Sequence, residues 1–586
     1  AGLVDMVLPL MVCLFIYYRP RYVYRSLRER AAGALGNPLT NVHVLLGFSS
    51  VLVATSVFLS LSRGGIMSLF MSMILLAGMI RNNKRKEGKG WILVVVIVML
   101  VFYSVGWFGW DQIFDRFKAL RDVQGDFAEL RLGIWKDSLS LIKDFPLTGT
   151  GLGSYGHIYP KYRSLSAEGI IDHAHNDYLE LISEGGVIAF SIMFCFFATV
   201  ILKSYRVYSR RRDRYSALLY IGVIAGIVSM LIHSITDFNL HIGANGLYLF
   251  FLAGLAVSAA NTKIQGGRNN TLLGKAGPAT NRVIVSTLVV LLCSVIFNTG
   301  DIAGRFGLSL LREASMDVHT PKETLEGMRT AAYRTSLLDS LNGAPHYVTA
   351  RIEWLLSDKN KALEAYRKAI RRNPLNSEYL QTFGLVMARL GQNSNADGLL
   401  RGGIRSEPSN PLRYKTYALW LLSSDRREEG IQCVKKAITL EPGKTRDYIA
   451  MLVLAGFHDR DIRDALPQLA EPHLLFADYL YKTGNDTMTI EEYHTAMDYV
   501  KNDPERKPAY FYQAYHYFMK RGLFDDALAV MRKAEEELPR DVGIKMTLAG
   551  MYEKAGIPYR AKEEYRKVLL IEPENRTAKK KLEEIQ

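Results

Sequence analysis

The stretch around which the sequence is organised reads Asp172-His173-Ala174-His175-Asn176-Asp177-Tyr178-Leu179-Glu180-Leu181-Ile182-Ser183-Glu184-Gly185-Gly186. It contains two imidazoles, one amide and four carboxylates, and it runs directly into the apolar segment 187–202. Burying such groups at the mouth of a membrane span without partners costs on the order of several kcal/mol each. A hydrogen-bonded loop with solvated histidines would give the same pattern. The rest of the chain must therefore decide whether this cluster is functional.

The 586 residues fall into two unlike halves. Residues 1–300 contain long apolar runs, whereas residues 301–586 are polar and charged. The four cysteines suggest neither a disulfide framework nor a metal site, because three of them lie in apolar runs and their spacing fits neither. The chain starts with Ala1 at the edge of an apolar run, and we expect that sequence upstream of it is missing.

The apolar half predicts a polytopic bundle of transmembrane helices. The predicted spans are residues 3–18, 42–61, 65–80, 91–108, 187–202, 216–235, 242–260 and 283–298. Basic clusters occur in every second connection, within residues 19–30, 81–89, 203–214 and 263–282. All four can therefore be cytoplasmic at once, which explains much of the net charge of +15 without a nucleic-acid partner.

The remaining connections are predicted to lie on the opposite side of the membrane. They are the turn 61–64, the long loop 109–186 and the loop 233–241, and everything after residue 298 follows them. A reaction on that side has no ready access to ATP or nucleotide sugars. The pattern Gly151-Leu152-Gly153-Ser154-Tyr155-Gly156 matches a dinucleotide-binding motif, but neither a preceding strand nor a strand–helix–strand unit surrounds it, and we interpret it as a tight turn.

Two arginines are predicted on the same side as the histidines. Arg63 stands alone between two apolar segments, and Arg131 lies in residues 129–142, whose apolar spacing predicts an amphipathic helix along the membrane surface. Contacts with lipid head groups or solvent would account for either arginine. A diphosphate-bearing substrate would require such a pair, because guanidinium groups bind phosphate oxygens and remain charged.

The polar half contains a repeat with a period of 34 residues. Pro374, Pro408 and Pro442 show this spacing, as do Pro539 and Pro573, and the period slips between Pro442 and Pro539. Small or β-branched residues recur twelve and five positions before each proline, namely Ala362, Ala369, Ala396, Gly403, Gly430, Ala437, Ala527, Ala534, Ala561 and Val568. The pattern resembles tetratricopeptide repeats, which form an α-solenoid with a surface for proteins or peptides. We assign residues 301–345 to a helical linker and residues 346–586 to this domain.

Four motifs of the membrane half occur in a characteristic order. They are Ser62-Arg63-Gly64-Gly65, Arg131 four residues before Trp135, the run 146–153, and His173-Ala174-His175-Asn176-Asp177-Tyr178-Leu179. Together they resemble the O-antigen ligase and polymerase superfamily, over roughly residues 42–260. These are bacterial inner-membrane enzymes that handle glycans carried on undecaprenyl diphosphate. Members usually have about a dozen spans, which agrees with missing upstream sequence.

The resemblance implies a role for each candidate residue. His175 would be the general base that takes the acceptor proton, with His173 as the rival base. Asn176 would orient the base or hold a sugar hydroxyl. Arg63 and Arg131 would bind the diphosphate and stabilise its growing charge. His233 or Asp237 would orient the base or bind the acceptor, although a polar cap joining two spans explains this loop as well.

The resemblance implies a glycosyltransferase that needs no metal or cofactor. Its acceptor would be lipid A core for a ligase, a growing glycan for a polymerase, or a protein hydroxyl. A membrane scaffold of a polysaccharide export complex, with vestigial histidines, is the non-enzyme alternative. The enzyme would lie in the inner membrane with its repeat domain in the periplasm, where that domain would recruit an acceptor or partner proteins.

Overall fold

A computed structural model of the chain describes residues 1–19, 38–60, 62–82, 90–108, 126–164, 171–210, 213–261, 289, 303–304, 307–309, 316–317 and 319–585. Within these ranges the protein is helical and contains no strand. The chain divides into two compact units, Ala1–Asp358 and Lys359–Gln586. The predicted linker and repeat boundary at residues 345 and 346 stays a prediction.

The first unit contains eleven longer helices in its described ranges. They are α1 (Gly2–Tyr17), α2 (Pro38–Leu59), α3 (Arg63–Asn82), α4 (Gly90–Phe108), α5 (Asp126–Asp144), α6 (Tyr155–Tyr162), α7 (Asp177–Tyr208), α8 (Arg214–His233), α9 (Gly243–Asn261), α10 (Lys322–Leu338) and α11 (Ala344–Leu355). The short 3₁₀ helix Asn239–His241 lies between α8 and α9.

Five of these helices are long and apolar enough to cross a membrane, namely α2, α3, α7, α8 and α9. Helix α1 and residues 90–103 of α4 are shorter apolar helices. These seven helices coincide with the first seven predicted spans, and the prediction of a polytopic membrane bundle is confirmed. The eighth predicted span, except for residue 289, lies outside the described residues.

Helices α1 and α8 run antiparallel, because contacts join them at both ends. The Arg214 guanidinium, at the start of α8, donates hydrogen bonds to the carbonyls of Ile16 and Tyr17 at the end of α1. At the other end, Asp5 of α1 contacts His233, the last residue of α8. We call this second end, where α1 and α3 begin and α8 terminates, the polar end of the bundle.

Helix α7 is interrupted where the polar stretch meets the apolar segment. Gly186 has φ 65° and ψ −174°, and a Cβ there would lie 2.1 Å from the carbonyl oxygen of Leu147. The backbone N–H of Val187, freed by the break, donates to the carbonyl of Pro146 at 2.9 Å. The glycine-rich turn after Pro146 therefore packs against the break, which agrees with our interpretation of this run as a turn rather than a nucleotide-binding loop.

The second unit is a solenoid of antiparallel helices. Its helices are α12 (Lys359–Arg372), α13 (Ser377–Arg389), α14 (Asn393–Ser406), α15 (Pro411–Ser423), α16 (Arg427–Leu440), α17 (Thr445–Leu454), α18 (Asp459–Asp464), α19 (Ala470–Thr483), α20 (Asp486–Tyr499), α21 (Pro508–Lys520), α22 (Phe524–Glu537), α23 (Val542–Lys554), α24 (Pro558–Ile571) and α25 (Arg576–Glu584). The 3₁₀ helices Pro442–Lys444 and Val500–Asn502 interrupt the succession. The predicted all-α architecture, a membrane helix bundle followed by a tetratricopeptide-repeat solenoid, is confirmed.

The small residues of the repeat pattern lie where paired helices approach closely. All ten are buried, and each lies in a helix that ends just before one of the five prolines. A Cβ added to Gly403 would lie 2.4 Å from Gln381, and one added to Gly430 would lie 2.5 Å from Leu422. Where the period slips, the six-residue helix α18 replaces a full-length second helix.

Candidate active site

The connection between α8 and α9 brings the candidate residues together. It begins at His233, turns through residues 234–237 and contains the 3₁₀ helix Asn239–His241. We call residues 233–241 the hub loop. The sequence predicted it as one of several loops on the histidine side, and the structure places it in contact with three other parts of the site.

The start of α3 is the first of these parts. The Ser62 hydroxyl accepts the N–H of Gly65 and caps the helix, so Arg63 is the first helical residue. This corrects the prediction that residues 61–64 are all a turn. A Cβ on Gly64 would lie 2.4 Å from Oγ1 of Thr236 and 3.1 Å from Nε2 of His233. Because Gly64 has no side chain, the exposed Arg63 begins its helix directly against the hub loop.

Helix α5 supplies the second part, and it includes the predicted amphipathic segment 129–142. Its Arg131 donates a hydrogen bond to the carbonyl of Thr236 at 3.2 Å. Trp135, one turn further along, donates its indole N–H to the carbonyl of Ala174 at 3.0 Å. Helix α5 therefore joins the hub loop to the backbone between the two histidines.

His175, in the third part, has a backbone conformation that only a few non-glycine residues adopt. Its φ is 51°, in the left-handed region, and such strain tends to occur at functional sites. Nδ1 of His175 is buried and lies 3.7 Å from Oδ1 of Asp237, beyond hydrogen-bonding distance, and it has no hydrogen-bond partner among the described residues. The side chain is nevertheless 35% exposed, so the solvent-facing part of the ring lies away from Nδ1.

Asp237 lies between two imidazoles. Its other carboxylate oxygen, Oδ2, is 3.8 Å from Nε2 of His233. Partial burial acts to raise the pKa of Asp237, but the neighbouring His175 imidazole, the backbone N–H of Phe238 and the charge of His233 outweigh it and lower that pKa. Asp237 is therefore a carboxylate at neutral pH.

His173 has a different environment. Its Nδ1 lies 2.8 Å from Oε1 of the buried Glu180, whose second oxygen accepts the N–H of Ala174 at 2.9 Å. The ring of His173 stacks on Phe238 at a centroid distance of 4.4 Å, and the edge of His175 meets the same ring at 5.1 Å. The rival base is therefore held by a buried carboxylate, whereas His175 faces Asp237 at a longer distance.

Asn176 caps α7. Its side-chain oxygen accepts the backbone N–H groups of Tyr178 and Leu179 at 3.0 and 3.1 Å. The next residue, Asp177, accepts the N–H of Leu240 and lies 2.9 Å from Nδ1 of His241. The side chain of Asn176 therefore stabilises the start of α7. Its expected role in orienting the base or holding a sugar hydroxyl stays a prediction.

The sequence analysis did not single out four of the residues that build this site. Glu180 and Asp177 fix His173 and His241, and Glu184 accepts two backbone N–H groups of the glycine-rich turn. Asp5 contacts His233 from α1. The sequence could have pointed to Asp5, because it is the one charged residue within an apolar helix and carboxylates inside membrane helices are commonly functional.

His241 is the second imidazole bound to Glu180. Its Nε2 lies 3.2 Å from Oε1 of that residue. Burial acts to lower the pKa of His241, but the hydrogen bond to Asp177 and the charges of Glu180 and Glu184 outweigh it and raise that pKa. Ligand atoms of His173, Glu180 and His241 lie within 4.8 Å of one another, so these residues could hold a metal ion. All three are already paired with one another or with Asp177.

Part of the first unit matches a known protein family. The family model described as O-antigen ligase (Wzy_C) matches residues 48–194, which include Arg63, Arg131, His173 and His175. Over these residues the chain is similar to the O-antigen ligase family. The hub loop and Asp5 lie outside the matched residues, but the hub loop contacts Gly64 and Arg131, and Asp5 contacts Ser68. The O-antigen ligase domain supports glycan transfer of the ligase or polymerase type in a multi-pass membrane protein.

Other comparisons concern the repeats. No curated protein matches the chain. Among solved structures, MamA is 21% identical with a TM-score of 0.19, covering 25% of this chain and 91% of its own. YrrB, described as a tetratricopeptide-repeat protein with an unusual peptide-binding site, is 16% identical with a TM-score of 0.18, covering 37% of this chain and 98% of its own. Yeast Tom70 is 15% identical with a TM-score of 0.20, covering 78% and 94%. At such scores these similarities say nothing further about this chain.

Proposed function

We propose that this protein transfers a glycan from undecaprenyl diphosphate to an acceptor hydroxyl on the periplasmic side of the bacterial inner membrane. The most direct assignment is an O-antigen ligase-like enzyme of cell-surface polysaccharide assembly. One observation carries the proposal: the start of α3 with Arg63, the Arg131 side chain and the His175–Asp237 pair all meet at the hub loop.

The acceptor is activated by His175. Since Nδ1 faces Asp237 and is buried, Nε2 is the nitrogen available to an incoming hydroxyl. The hydroxyl oxygen forms a bond to the anomeric carbon of the glycan while its proton passes to Nε2, and the bond from that carbon to the diphosphate oxygen breaks. The imidazolium then returns the proton to solvent. A positioned general base of this kind contributes about 10²- to 10⁴-fold in such steps.

The leaving diphosphate is bound by positive groups on the same side. Arg63 and Arg131 supply guanidinium groups, and Arg63 begins α3, whose N-terminal N–H groups favour an anion. Charge that grows on the diphosphate in the transition state is stabilised by these fixed groups. The donor carries its own leaving group, so the reaction requires no nucleotide, and in this proposal the arginines supply the positive charge that a metal would otherwise provide.

The charge distribution along the bundle supports an extracytoplasmic site. Basic residues cluster at the other end of the bundle: Arg81 and Arg206 in the last turns of α3 and α7, Arg19 and Arg210 just after α1 and α7, and Arg214 at the start of α8. The Ser204 hydroxyl of α7 lies 3.0 Å from that of Tyr220 in α8, so the end of α7 lies near the start of α8. Because basic connections are retained in the cytoplasm, the polar end with His175 faces the periplasm.

Two related reactions use the same chemistry: polymerisation of polysaccharide repeat units and glycan transfer to a protein hydroxyl. They differ in the acceptor, which is lipid A core for a ligase. The repeat domain would lie in the periplasm and recruit an acceptor or partner proteins. A scaffold of a polysaccharide export complex would require neither arginine and no base, so the meeting of all three groups favours an enzyme.

The test uses membranes that contain the full-length protein, supplied with undecaprenyl diphosphate carrying a labelled glycan and with each acceptor in turn. We expect label to move to lipid A core, to longer lipid-linked chains or to protein, and the destination identifies the reaction. His175→Ala should abolish the transfer. His157→Ala, on the exposed side of α6, is the matched control and should retain it. Label that stays on its starting lipid with every acceptor would favour the scaffold, and transfer by His175→Ala would contradict the assigned base.

A further inference from the structure

Asp5 is a carboxylate buried within an apolar helix. It is the one charged residue of α1, and its side chain is fully buried. Charged groups within membrane helices are costly and usually face partners inside the bundle. Oδ2 of Asp5 accepts a hydrogen bond from the Ser68 hydroxyl of α3 at 2.8 Å and lies 2.8 Å from Nδ1 of His233. Oδ1 has no partner among the described residues.

A chain of alternating carboxylates and imidazoles leads from Asp5 to the site. Because Nδ1 of His233 binds Asp5, Nε2 of the same ring is directed towards Asp237, at 3.8 Å. Asp237 in turn lies 3.7 Å from Nδ1 of His175. The facing nitrogens, Nε2 of His233 and Nδ1 of His175, are both buried and lack hydrogen-bond partners in the described part of the chain. Catalytic hydrogen bonds are often longer without substrate and shorten when it binds.

Joining α1 to α8 does not require the Asp5–His233 pair. The two helices already pack backbone to backbone: a Cβ on Gly226 would lie 2.4 Å from the carbonyl oxygen of Met6, and one on Gly222 would lie 2.9 Å from Cα of Leu10. Arg214 fastens the opposite ends. Burying a carboxylate in this interface therefore costs free energy without being needed to hold the two helices together.

We propose that Asp5 is a positioning residue of the transfer site: it fixes the ring of His233, which holds Asp237 beside His175. The inference rests on the proposed function, in which His175 is the base. Asp5 itself touches neither substrate nor reacting atoms. The His233 ring lies between the two carboxylates, with Nδ1 towards Asp5 and Nε2 towards Asp237. Asp237 then orients His175 with Nε2 towards the acceptor.

The test compares Asp5→Asn, His233→Gln and the double variant in the full-length protein. Asp5→Asn keeps the shape of the side chain and removes the charge. We expect kcat to fall about 10- to 100-fold while KM for the donor changes little, because the arginines that bind diphosphate are untouched. The double variant should be no slower than His233→Gln alone, since Asp5 acts through His233. Ser68→Ala, which removes one hydrogen bond to Asp5, should give a smaller loss in the same direction.

Ser72→Ala is the matched control. Ser72 lies one turn further along α3 and is buried, and among the described residues its hydroxyl donates to the Leu69 carbonyl of its own helix and not to Asp5. It should retain wild-type kcat, and all variants should elute as single species in detergent. Wild-type kcat in Asp5→Asn, or losses that multiply in the double variant, would overturn the proposal.

A second measurement needs no turnover and separates this inference from the proposed function. Diethylpyrocarbonate modifies unprotonated imidazoles, and peptide mass spectrometry gives the rate at His175 alone. In Asp5→Asn we expect the rate at His175 to differ from the wild-type rate beyond replicate error, with no change in Ser72→Ala. An unchanged rate overturns the role of Asp5, whether or not transfer is detected. Absence of transfer by the wild-type protein, with a changed rate at His175, contradicts the proposed function alone.

Discussion

Nδ1 of His175 faces Oδ1 of Asp237 at 3.7 Å, although His175 precedes α7 and Asp237 follows α8. Two membrane helices separate these residues in sequence. The fold brings them together because α7 begins at the end of the bundle where α8 terminates. The candidate base and its carboxylate partner thus depend on the same helix packing that closes the polar end.

Asp237→Asn should reduce the rate of transfer by about 10²- to 10⁴-fold. The amide lacks the negative charge with which the carboxylate holds the imidazoles of His175 and His233. The initial rate of label transfer at saturating donor measures this. Asp172→Asn changes an exposed carboxylate of the same stretch and should retain activity. Equal rates for Asp237→Asn and the wild type would remove Asp237 from the site.

Arg63→Lys and Arg131→Lys test the diphosphate contacts while keeping the charge. Lysine lacks the planar fork of arginine, so kcat/KM for the donor should fall about 10- to 100-fold in each variant. Titration of the donor lipid in the transfer assay measures this. Arg206→Lys, near the opposite end of α7, should behave as the wild type. A donor dependence unchanged in both variants would rule out the assigned role.

Gly64→Ala tests the contact between α3 and the hub loop. Alanine is ordinarily favoured over glycine in a helix by about 1 kcal/mol, but here its Cβ would meet Thr236 at 2.4 Å. We expect transfer to fall about 10-fold or more because Arg63 and the hub loop move apart. Gly78→Ala, in the same helix, meets nothing within 4 Å, so it should retain activity and melt no lower than the wild type. Equal activities in the two variants would contradict the contact.

The raised pKa of His241 predicts a pH-dependent contribution to stability. A raised pKa means that the folded state binds the proton more tightly than the unfolded state does. The stabilisation is therefore complete below the ordinary histidine pKa of about 6.5 and is lost as the pH rises through the raised value. Thermal unfolding in detergent between pH 5 and 9 should show the largest difference between wild type and His241→Gln at acidic pH. A difference that grows with pH would contradict the assignment.

Chelation tests whether a metal takes part. The proposed reaction uses arginines to stabilise the diphosphate, so extensive treatment with EDTA should leave the rate of transfer unchanged. Loss of activity that a divalent cation restores would be the opposite result. In that case His173→Ala and His241→Ala should lower metal affinity, because these residues and Glu180 bring their ligand atoms within 4.8 Å.

Much of the architecture follows from local pattern. Hydrophobic runs of membrane length predicted the helices of the first unit, because a bilayer forces backbone groups to pair within each segment. The 34-residue spacing predicted the solenoid, because small residues such as Ala437 are required where its helices approach. The predicted helix ends were less accurate. Arg63 lies within α3 because Ser62 caps the helix, and the apolar pattern does not predict this contact.

The sequence by itself determined the class of fold and the presence of two unlike halves. It also determined the residue types from which a site could be built: His175 with His173, two arginines, and a polar loop from His233 to His241. Only the tertiary structure decided which of these groups meet. It paired His173 with Glu180 and His175 with Asp237, and it placed Asp5 against His233. The reason is physical: hydrophobicity and repeat spacing are properties of neighbouring residues, whereas side-chain distances across the polar end depend on how distant helices pack.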